Sequence, residues 1–228
     1  MIGIISAMTL ETEMLINKSS FDITETITGI DFHKIEIGGK EVVLSVSGVG
    51  KVNAARVAEA MILTYNPDFI INTGVAGGLN PALSIGDIVL SEKLVQHDMD
   101  TSALGDPVGM ISGINMVKLP ASQTLCEKIE KTAERLGIPC ARGVIASGDQ
   151  FIADRKKKEW IRDTFDAIAC EMEGAAIGQA CYANGVAFAV LRAISDNADD
   201  AAGTMDYPTL CERAAKQTQR LIEAMLGA

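Results

Sequence analysis

Histidine and cysteine, the usual side-chain ligands of zinc, are scarce in this sequence of 228 residues. The two histidines are His33 and His97, and the five cysteines are dispersed without a CxxC spacing. Because structural zinc sites combine closely spaced Cys and His ligands, the pattern does not indicate one. An odd number of scattered cysteines also does not suggest a disulfide framework. We expect no metal site and a reduced, cytoplasmic protein.

Positive charge is in deficit as well. The chain has 20 Lys and Arg against 30 Asp and Glu, which gives a formal net charge of -10. A protein that binds a phosphate backbone needs clustered basic residues, so neither DNA nor RNA is an expected partner. No apolar run reaches the ~20 residues that span a bilayer, and residues 1–6 have no basic segment before them. We expect no membrane association and no signal peptide.

Several catalytic fingerprints are absent. None of the glycine-rich segments matches GxxxxGK[ST] or GxGxxG, so a P-loop and a dinucleotide site are not indicated. A nucleophilic serine would need an imidazole base, for which His97 is the one plausible candidate, and no GxSxG motif surrounds any serine. Cys170 lies within an apolar strand and is interpreted as a core residue.

Short apolar strands that alternate with helices predict one mixed-sheet α/β domain over residues 1–228. Segment 73–78 is interpreted as a glycine loop, and segment 97–120 as a long loop of the kind that often has a function. The remaining pattern predicts strands at 2–6, 42–46, 69–72, 86–90, 143–146 and 167–170, antiparallel strands within 21–47, and helices from about 9 and at 51–65, 121–136, 154–162, 172–183 and 207–226.

Carboxylates follow several of these strands. Ser195 and Asp196 end the apolar stretch 188–196, Glu11 comes just after the first strand, and Glu171 and Glu173 follow segment 167–170. Ligand sites of parallel sheets lie beyond the carboxyl ends of the strands, so these residues are candidates for carboxylate chemistry. Taken alone, Asp196 is equally consistent with a turn residue. The sequence leaves open which of Glu171 and Glu173 points inward.

Six segments occur together in a familiar order and spacing: residues 1–13, 47–51, 72–78, 147–152, 171–173 and 192–196. With these segments the chain resembles the 5'-methylthioadenosine/S-adenosylhomocysteine nucleosidases of the nucleoside phosphorylase/hydrolase superfamily over nearly its whole length. The resemblance implies a three-layer αβα single domain around a mixed, partly parallel β-sheet. It also implies a homodimer and hydrolysis of an adenine N-glycosidic bond without a metal or a cofactor.

The resemblance assigns roles to the acidic residues. Breaking the bond from ribose to adenine develops positive charge on the sugar and negative charge on the purine, so an acid at the base and an anion near the sugar both favour the transition state. By resemblance Asp196 protonates adenine N7 and Ser195 orients it. Glu11 activates the attacking water as general base, Glu173 binds the ribose hydroxyls, and Arg192 is a supporting residue.

The resemblance also assigns residues to the rest of the substrate. Phe151 stacks on adenine, and the backbone of Ile152 reads the Watson-Crick edge of the base. The base pocket is lined by Val75, Ala76 and Gly77, and the sugar and its 5' substituent contact Met8, Val49 and Met172.

The loop after His97 departs from the family, which has aromatic residues where this chain has Leu104 and Asp106. Methylthioadenosine, S-adenosylhomocysteine, 5'-deoxyadenosine and aminodeoxyfutalosine therefore remain candidate substrates. One alternative is a nucleoside phosphorylase, against which Glu11 counts because an acid repels phosphate at short range. Another alternative is a non-catalytic nucleoside-binding protein, against which the three acids Glu11, Glu173 and Asp196 count.

Overall fold

A mixed β-sheet flanked by helices forms the protein in the computed structural model, which describes residues 1–19, 21–198 and 207–227. The strands of this part are β1 (Ile2–Ser6), β2 (Asp22–Ile27), β3 (Ile30–Ile37), β4 (Lys40–Val46), β5 (Phe69–Gly78), β6 (Ile88–Gln96), β7 (Leu119–Pro120), β8 (Cys140–Ser147), β9 (Ala167–Glu171) and β10 (Ala187–Asp196). Its helices are α1 (Thr9–Ile16), α2 (Lys51–Tyr65), α3 (Gln123–Leu136), α4 (Arg155–Phe165), α5 (Gly174–Asn184) and α6 (Tyr207–Leu226).

The strand order in the sheet is β10-β6-β8-β9-β5-β1-β4-β3-β2, and β10 also pairs with β5. Strands β5, β10, β6, β8 and β9 therefore form a closed ring of hydrogen-bonded neighbours. The pairs β1–β4, β1–β5, β5–β10, β6–β8 and β8–β9 are parallel, whereas β2–β3, β3–β4, β5–β9 and β6–β10 are antiparallel. The predicted mixed, partly parallel sheet is confirmed.

Helices cover both faces of the sheet, as the three-layer expectation requires. In β1, Ile4 and Ile5 point to opposite faces because side chains alternate along a strand. Ile4 packs in the cluster that includes residues of α3 and α6, and Ile5 packs in the cluster that includes residues of α2 and α5. Both side chains are almost completely buried. Burial on two faces explains why this strand is apolar throughout.

The sequence signals that begin and end helices are visible in α3 and α4. Ser122 accepts a hydrogen bond from the Leu125 amide at the start of α3, and Gly137 ends the helix in the left-handed conformation. Asp154 accepts one from the Lys157 amide at the start of α4. These caps satisfy amides that have no partner inside the helix. No helix of the described segments is long and apolar enough to cross a membrane.

The interpretation of residues 73–78 as a glycine loop is wrong, because β5 continues to Gly78. The extension pairs with β10 on one side and with β9 on the other. A Cβ atom at Gly77 would lie 2.8 Å from the Cβ of Ala198 and 3.1 Å from Oδ1 of Asp196. The glycines therefore serve close approach of neighbouring backbone and not a turn.

The segment between β6 and β7 is a long connection, as predicted, with one short 3-10 helix at Ser102–Leu104. Leu104 in this helix is 84% exposed. The connection leaves the sheet through Gln96, His97 and Asp98, next to the end of β8, so it begins close to the loops that follow the parallel strands.

Replacement of Ile5 by alanine should lower the free energy of unfolding by about 2–5 kcal/mol, because it leaves a cavity between β1 and α2. Ile23 in β2 is the matched control, since it is 52% exposed and its truncation should cost less than about 1 kcal/mol. Urea unfolding of both variants at one protein concentration measures the difference. Equal losses for the two variants would contradict the described core.

Candidate active site

One cavity of about 390 Å³ opens at the carboxyl ends of β1, β5, β9 and β10, a size typical of small-molecule sites. Its lining is mainly apolar with three acidic side chains. The residues that line it are Ala7, Met8, Val49, Val75, Ala76, Gly77, Gln150, Phe151, Ile152, Cys170, Glu171, Met172, Glu173, Arg192, Ser195 and Asp196. All the predicted site residues except Glu11 are in this set, so the structure brings them together.

The side chain of Glu11 lies outside the part of the structure that is described, and its role stays a prediction. The backbone of this residue belongs to α1, which begins directly after Met8 at the cavity wall. Among the described residues no cluster of three or more His, Cys, Asp or Glu side chains could hold a metal ion.

Asp196 is the last residue of β10, and both oxygens of its carboxyl group have a hydrogen-bond partner. The Ala198 amide donates to Oδ1 at 2.7 Å, and the Ser195 hydroxyl lies 2.8 Å from Oδ2. Both side chains are buried, at 1% exposure for Ser195 and 3% for Asp196. The carboxyl group is thus fixed at the cavity wall, beside Gly77 of β5, where it can face one defined atom of a ligand.

Glu173 occupies the first position before α5 and faces the turn between β4 and α2. Its Oε1 accepts a hydrogen bond of 2.9 Å from the amide of Gly50. Gly50 has φ of +99°, a conformation that side chains with a Cβ rarely adopt, so glycine is required here. Burial raises the pKa of Glu173, and the neighbouring Glu171 raises it further, while Arg192 acts in the opposite direction.

Glu171 and Arg192 form a buried ion pair at the base of the cavity. Glu171 also accepts hydrogen bonds from the Ser147 hydroxyl and from the amides of Glu173 and Gly174. Arg192 also donates hydrogen bonds to the side chain of Asn72 and to the backbone carbonyl of Thr73. The sequence left open which of these two glutamates points into the cavity, and their partners differ. Both oxygens of Glu171 bind partners within the protein, whereas Oε2 of Glu173 lies at the cavity, 3.5 Å from Arg192.

The segment from Ser147 to Ile152 forms a second wall, and a polar network holds it. Lys51 donates from its amide to Asp149 at 2.7 Å and from its ammonium group to Asp98 at 2.6 Å. The Asp149 amide donates in turn to Asp98. Phe151 is 54% exposed at the cavity mouth, whereas Ile152 is buried. The start of α2 and the end of β6 therefore fix the segment that carries these two residues.

His97 is buried behind this wall and does not line the cavity. A Cβ at Gly148 would lie 2.3 Å from its Nε2 atom, so the ring packs directly on the backbone of that glycine. Burial lowers the pKa of His97 and favours the neutral ring. The hydroxyl of Ser147 donates to Glu171 instead, so the geometry contains no serine-histidine pair here.

Five lining residues were not among the predicted catalytic or substrate-binding residues: Ala7, Gln150, Cys170, Glu171 and Arg192, the last of which was expected only in a supporting role. Cys170 both lines the cavity and packs in the core, which agrees with its interpretation as a core residue. Gln150 directly precedes Phe151, and this position beside a predicted site residue is the sequence feature that could have indicated it. Ala7 has no chemical group that sequence reasoning could have singled out.

Comparisons with known proteins agree with this geometry. The family model of the Phosphorylase superfamily matches residues 1–227. A 5'-methylthioadenosine/S-adenosylhomocysteine nucleosidase from Geobacillus kaustophilus is 40% identical over 227 residues, which cover 99% of this chain and 96% of that protein.

Two solved structures have the same fold as this chain. The nucleosidase from Neisseria meningitidis in complex with methylthio-immucillin-A gives a TM-score of 0.94 at 31% identity and covers 99% of this chain and 98% of its own. The futalosine hydrolase of Helicobacter pylori gives a TM-score of 0.94 at 35% identity, with coverage of 98% and 96%. The chain belongs to the 5'-methylthioadenosine/S-adenosylhomocysteine nucleosidase family of the phosphorylase superfamily.

Proposed function

We propose that the protein hydrolyses the N-glycosidic bond of 5'-substituted adenosines, chiefly 5'-methylthioadenosine and S-adenosylhomocysteine, and releases adenine and the 5-substituted ribose. The observation that carries the proposal is the convergence of Asp196, Glu173 and the Phe151–Ile152 segment on one cavity. These three parts come from separate elements of the chain and fit the base, the sugar and the stacking face of one adenine nucleoside.

Asp196 is the proton donor to the leaving base. As the bond from C1' to N9 breaks, its electron pair moves into the purine, and a proton delivered to N7 neutralises the developing charge. The hydrogen bonds from Ser195 and from the Ala198 amide hold the carboxyl group in one orientation. Such fixed geometry lowers the barrier because no reorientation is needed at the moment of proton transfer.

The sugar side of the reaction needs a water and an anion. Glu11 accepts a proton from the water, whose oxygen bonds to C1' of the cationic sugar. Glu173 accepts hydrogen bonds from the ribose hydroxyls, and these bonds strengthen as positive charge develops on the ring. Its anchoring by the Gly50 amide supports this role, because the carboxylate is already oriented before a ligand binds.

Base recognition uses backbone as well as side chains. Phe151 stacks on adenine, and the backbone of Ile152 hydrogen-bonds the Watson-Crick edge, which distinguishes adenine from 6-oxopurines. Val75, Ala76 and Gly77 form the floor of the base pocket. The lack of a side chain at Gly77 supports this assignment, since it leaves Asp196 room beside β5.

The 5' end of the pocket is apolar. Met8, Val49 and Met172 line the cavity there and suit an alkylthio group better than a charged one. A second candidate function is aminodeoxyfutalosine hydrolysis, which the likeness to the futalosine hydrolase of Helicobacter pylori and the absence of aromatic residues in segment 97–120 favour. In this second function the adenine and ribose contacts stay the same.

A homodimer is part of the proposal. A groove on the outer face of α2 and α5 is lined by Val52 and Leu63, which are 72% and 73% exposed. Val49, three residues before Val52, is 56% exposed at the mouth of the active-site cavity, so exposed apolar side chains occur both in the groove and at the site. Such patches on a protein surface mark association sites. Sedimentation at assay concentration tests the dimer, and a fully active monomer would contradict it.

We place the protein in the cytoplasm, where its products would enter methionine salvage. The described cysteines Cys126, Cys140, Cys170 and Cys181 are free thiols, which suits a reducing compartment. Accumulation of methylthioadenosine in cells that lack the protein would support this link to methionine salvage. Unchanged levels of that nucleoside would contradict it.

The proposed activity predicts adenine release from methylthioadenosine and S-adenosylhomocysteine in phosphate-free buffer. Added phosphate should leave the rate unchanged and produce no ribose 1-phosphate, because water is the nucleophile. A panel with 5'-deoxyadenosine and aminodeoxyfutalosine, compared by kcat/KM, ranks the 5' groups. Strict dependence on phosphate would instead identify a phosphorylase, and binding without any turnover would identify a nucleoside-binding protein.

Replacement of either catalytic acid should lower kcat by about 10²–10⁴-fold, because each transfers a proton in the transition state. The variants are Asp196→Asn and Glu11→Gln. Glu13→Gln is the matched control, since Glu13 is exposed on the same helix as Glu11 and should tolerate the change. All three variants should still bind an unreactive adenosine analogue. Normal turnover in either acid variant refutes the assigned mechanism.

The raised pKa of Glu173 predicts that nucleoside binding weakens on mild acidification. Burial raises this pKa above the ordinary value of a glutamate, so the carboxylate takes up a proton at a higher pH than an exposed glutamate does. The protonated group is a weaker acceptor for the ribose hydroxyls. Affinity for a non-hydrolysable methylthioadenosine analogue should therefore fall as the pH drops. Affinity for adenine, which has no ribose, should change less. The same pH profile in Glu173→Gln would show that another group is responsible.

A further inference from the structure

Asp196, the last residue of β10, and the next two residues, Asn197 and Ala198, form a short segment called here the acid turn. Ala198 is fully buried and has φ of +50°, in the left-handed region that a residue with a Cβ rarely adopts. Its amide reaches Oδ1 of Asp196 in this conformation. The orientation of the carboxyl group therefore depends on a backbone geometry that needs support from outside the turn.

Part of the support comes from β5. A Cβ at Gly77 would lie 2.8 Å from that of Ala198, so the turn packs closely against this glycine from one side. The middle residue, Asn197, is exposed and is not covered in this way. Its carbonyl accepts a hydrogen bond from the ammonium group of Lys158 in α4.

Lys158 connects the acid turn to the other wall of the site. Its own amide donates to the carbonyl of Asp154 at 2.9 Å, in the first turn of α4. Asp154 caps this helix through the Lys157 amide and stands two residues after Ile152. A short, capped stretch of chain thus leads from Phe151 and Ile152 to a cation that binds the acid turn.

We propose that Lys158 is a positioning residue that holds the acid turn at a fixed distance from the Phe151–Ile152 segment. The inference rests on the proposed function, in which adenine lies between these two parts of the site. A displaced turn would misalign the carboxyl group of Asp196 with N7 of a base that is still bound. Loss of the hydrogen bond from Lys158 should therefore slow proton delivery and leave substrate affinity nearly unchanged.

The test compares two leaving groups in wild type, Lys158→Met, Lys158→Arg and the control Lys156→Met. Lys156 is exposed in the same basic run. One substrate is methylthioadenosine, whose base leaves with a proton on N7. The other is a 5-methylthioriboside of p-nitrophenol, whose leaving group departs as an anion and needs no proton. Thermal unfolding of each variant checks that it is folded.

Loss of one charge-assisted hydrogen bond should lower kcat for methylthioadenosine about tenfold in Lys158→Met, with KM changed less than about twofold. The nitrophenolate substrate should react at nearly the wild-type rate, Lys158→Arg should recover most of the activity, and Lys156→Met should match wild type. Normal kcat in Lys158→Met, a loss confined to KM, or an equal loss with both leaving groups would overturn the inference.

Adenine release by the wild-type protein distinguishes failure of this inference from failure of the function on which it rests. Absence of adenine release by the wild-type protein overturns the proposed function and the inference together. Adenine release by wild type with an unaffected Lys158→Met variant overturns the inference alone.

Discussion

The buried ion pair between Arg192 and Glu171 is the interaction on which the site depends. A guanidinium group inside a sheet is costly unless a carboxylate and further acceptors surround it, and removal of one partner from such a pair leaves an uncompensated charge. Arg192 belongs to β10, Glu171 to β9, and the Asn72 side chain that also accepts from Arg192 belongs to β5. The pair thus joins three strands of the closed ring at the ends that face the cavity. The same glutamate accepts the amides of Glu173 and Gly174, so it also sets where α5 begins.

This arrangement explains how two glutamates two residues apart acquire different tasks. Glu171 is neutralised by Arg192 and saturated with donors from Ser147 and the start of α5. Glu173 lies in the remaining space, with burial and the charge of Glu171 both raising its pKa. Gly50 donates to it from another element, which keeps the carboxylate directed into the cavity. The electrostatic cost of placing acids near each other is thereby reduced by one fixed cation, and a ligand that donates hydrogen bonds to Glu173 would reduce it further.

The sequence predicted the elements whose signals are local and missed features that depend on contact between distant segments. The helix 51–65 and the strand end at Asp196 follow from periodicity and from a buried run that stops at a polar residue, and the structure has both. In the sequence, the glycines of segment 73–78 look like a loop. In the structure they allow the close approach of β9, β10 and Ala198, and no local sequence pattern records these contacts. The different roles of Glu171 and Glu173 likewise depend on residues that are distant in sequence. Arg192 is 21 residues from Glu171, and Gly50 is 123 residues from Glu173.

The two ends of the cavity are built differently, and this difference bears on specificity. Around Asp196 the cavity wall consists of strand ends whose side chains are buried, among them Ser195 and Ala76, whereas Phe151 at the cavity mouth is 54% exposed. Val49 at the cavity mouth is 56% exposed, and Val52 in the adjoining helix α2 is 72% exposed in a groove that Lys51 and Arg56 also line. In the proposed function, the acid that faces the base is therefore held by contacts that also stabilise the ring of strands. In the proposed function Val49 contacts the 5' substituent, so that part of the pocket adjoins an exposed surface whose residues can vary at little cost to the core.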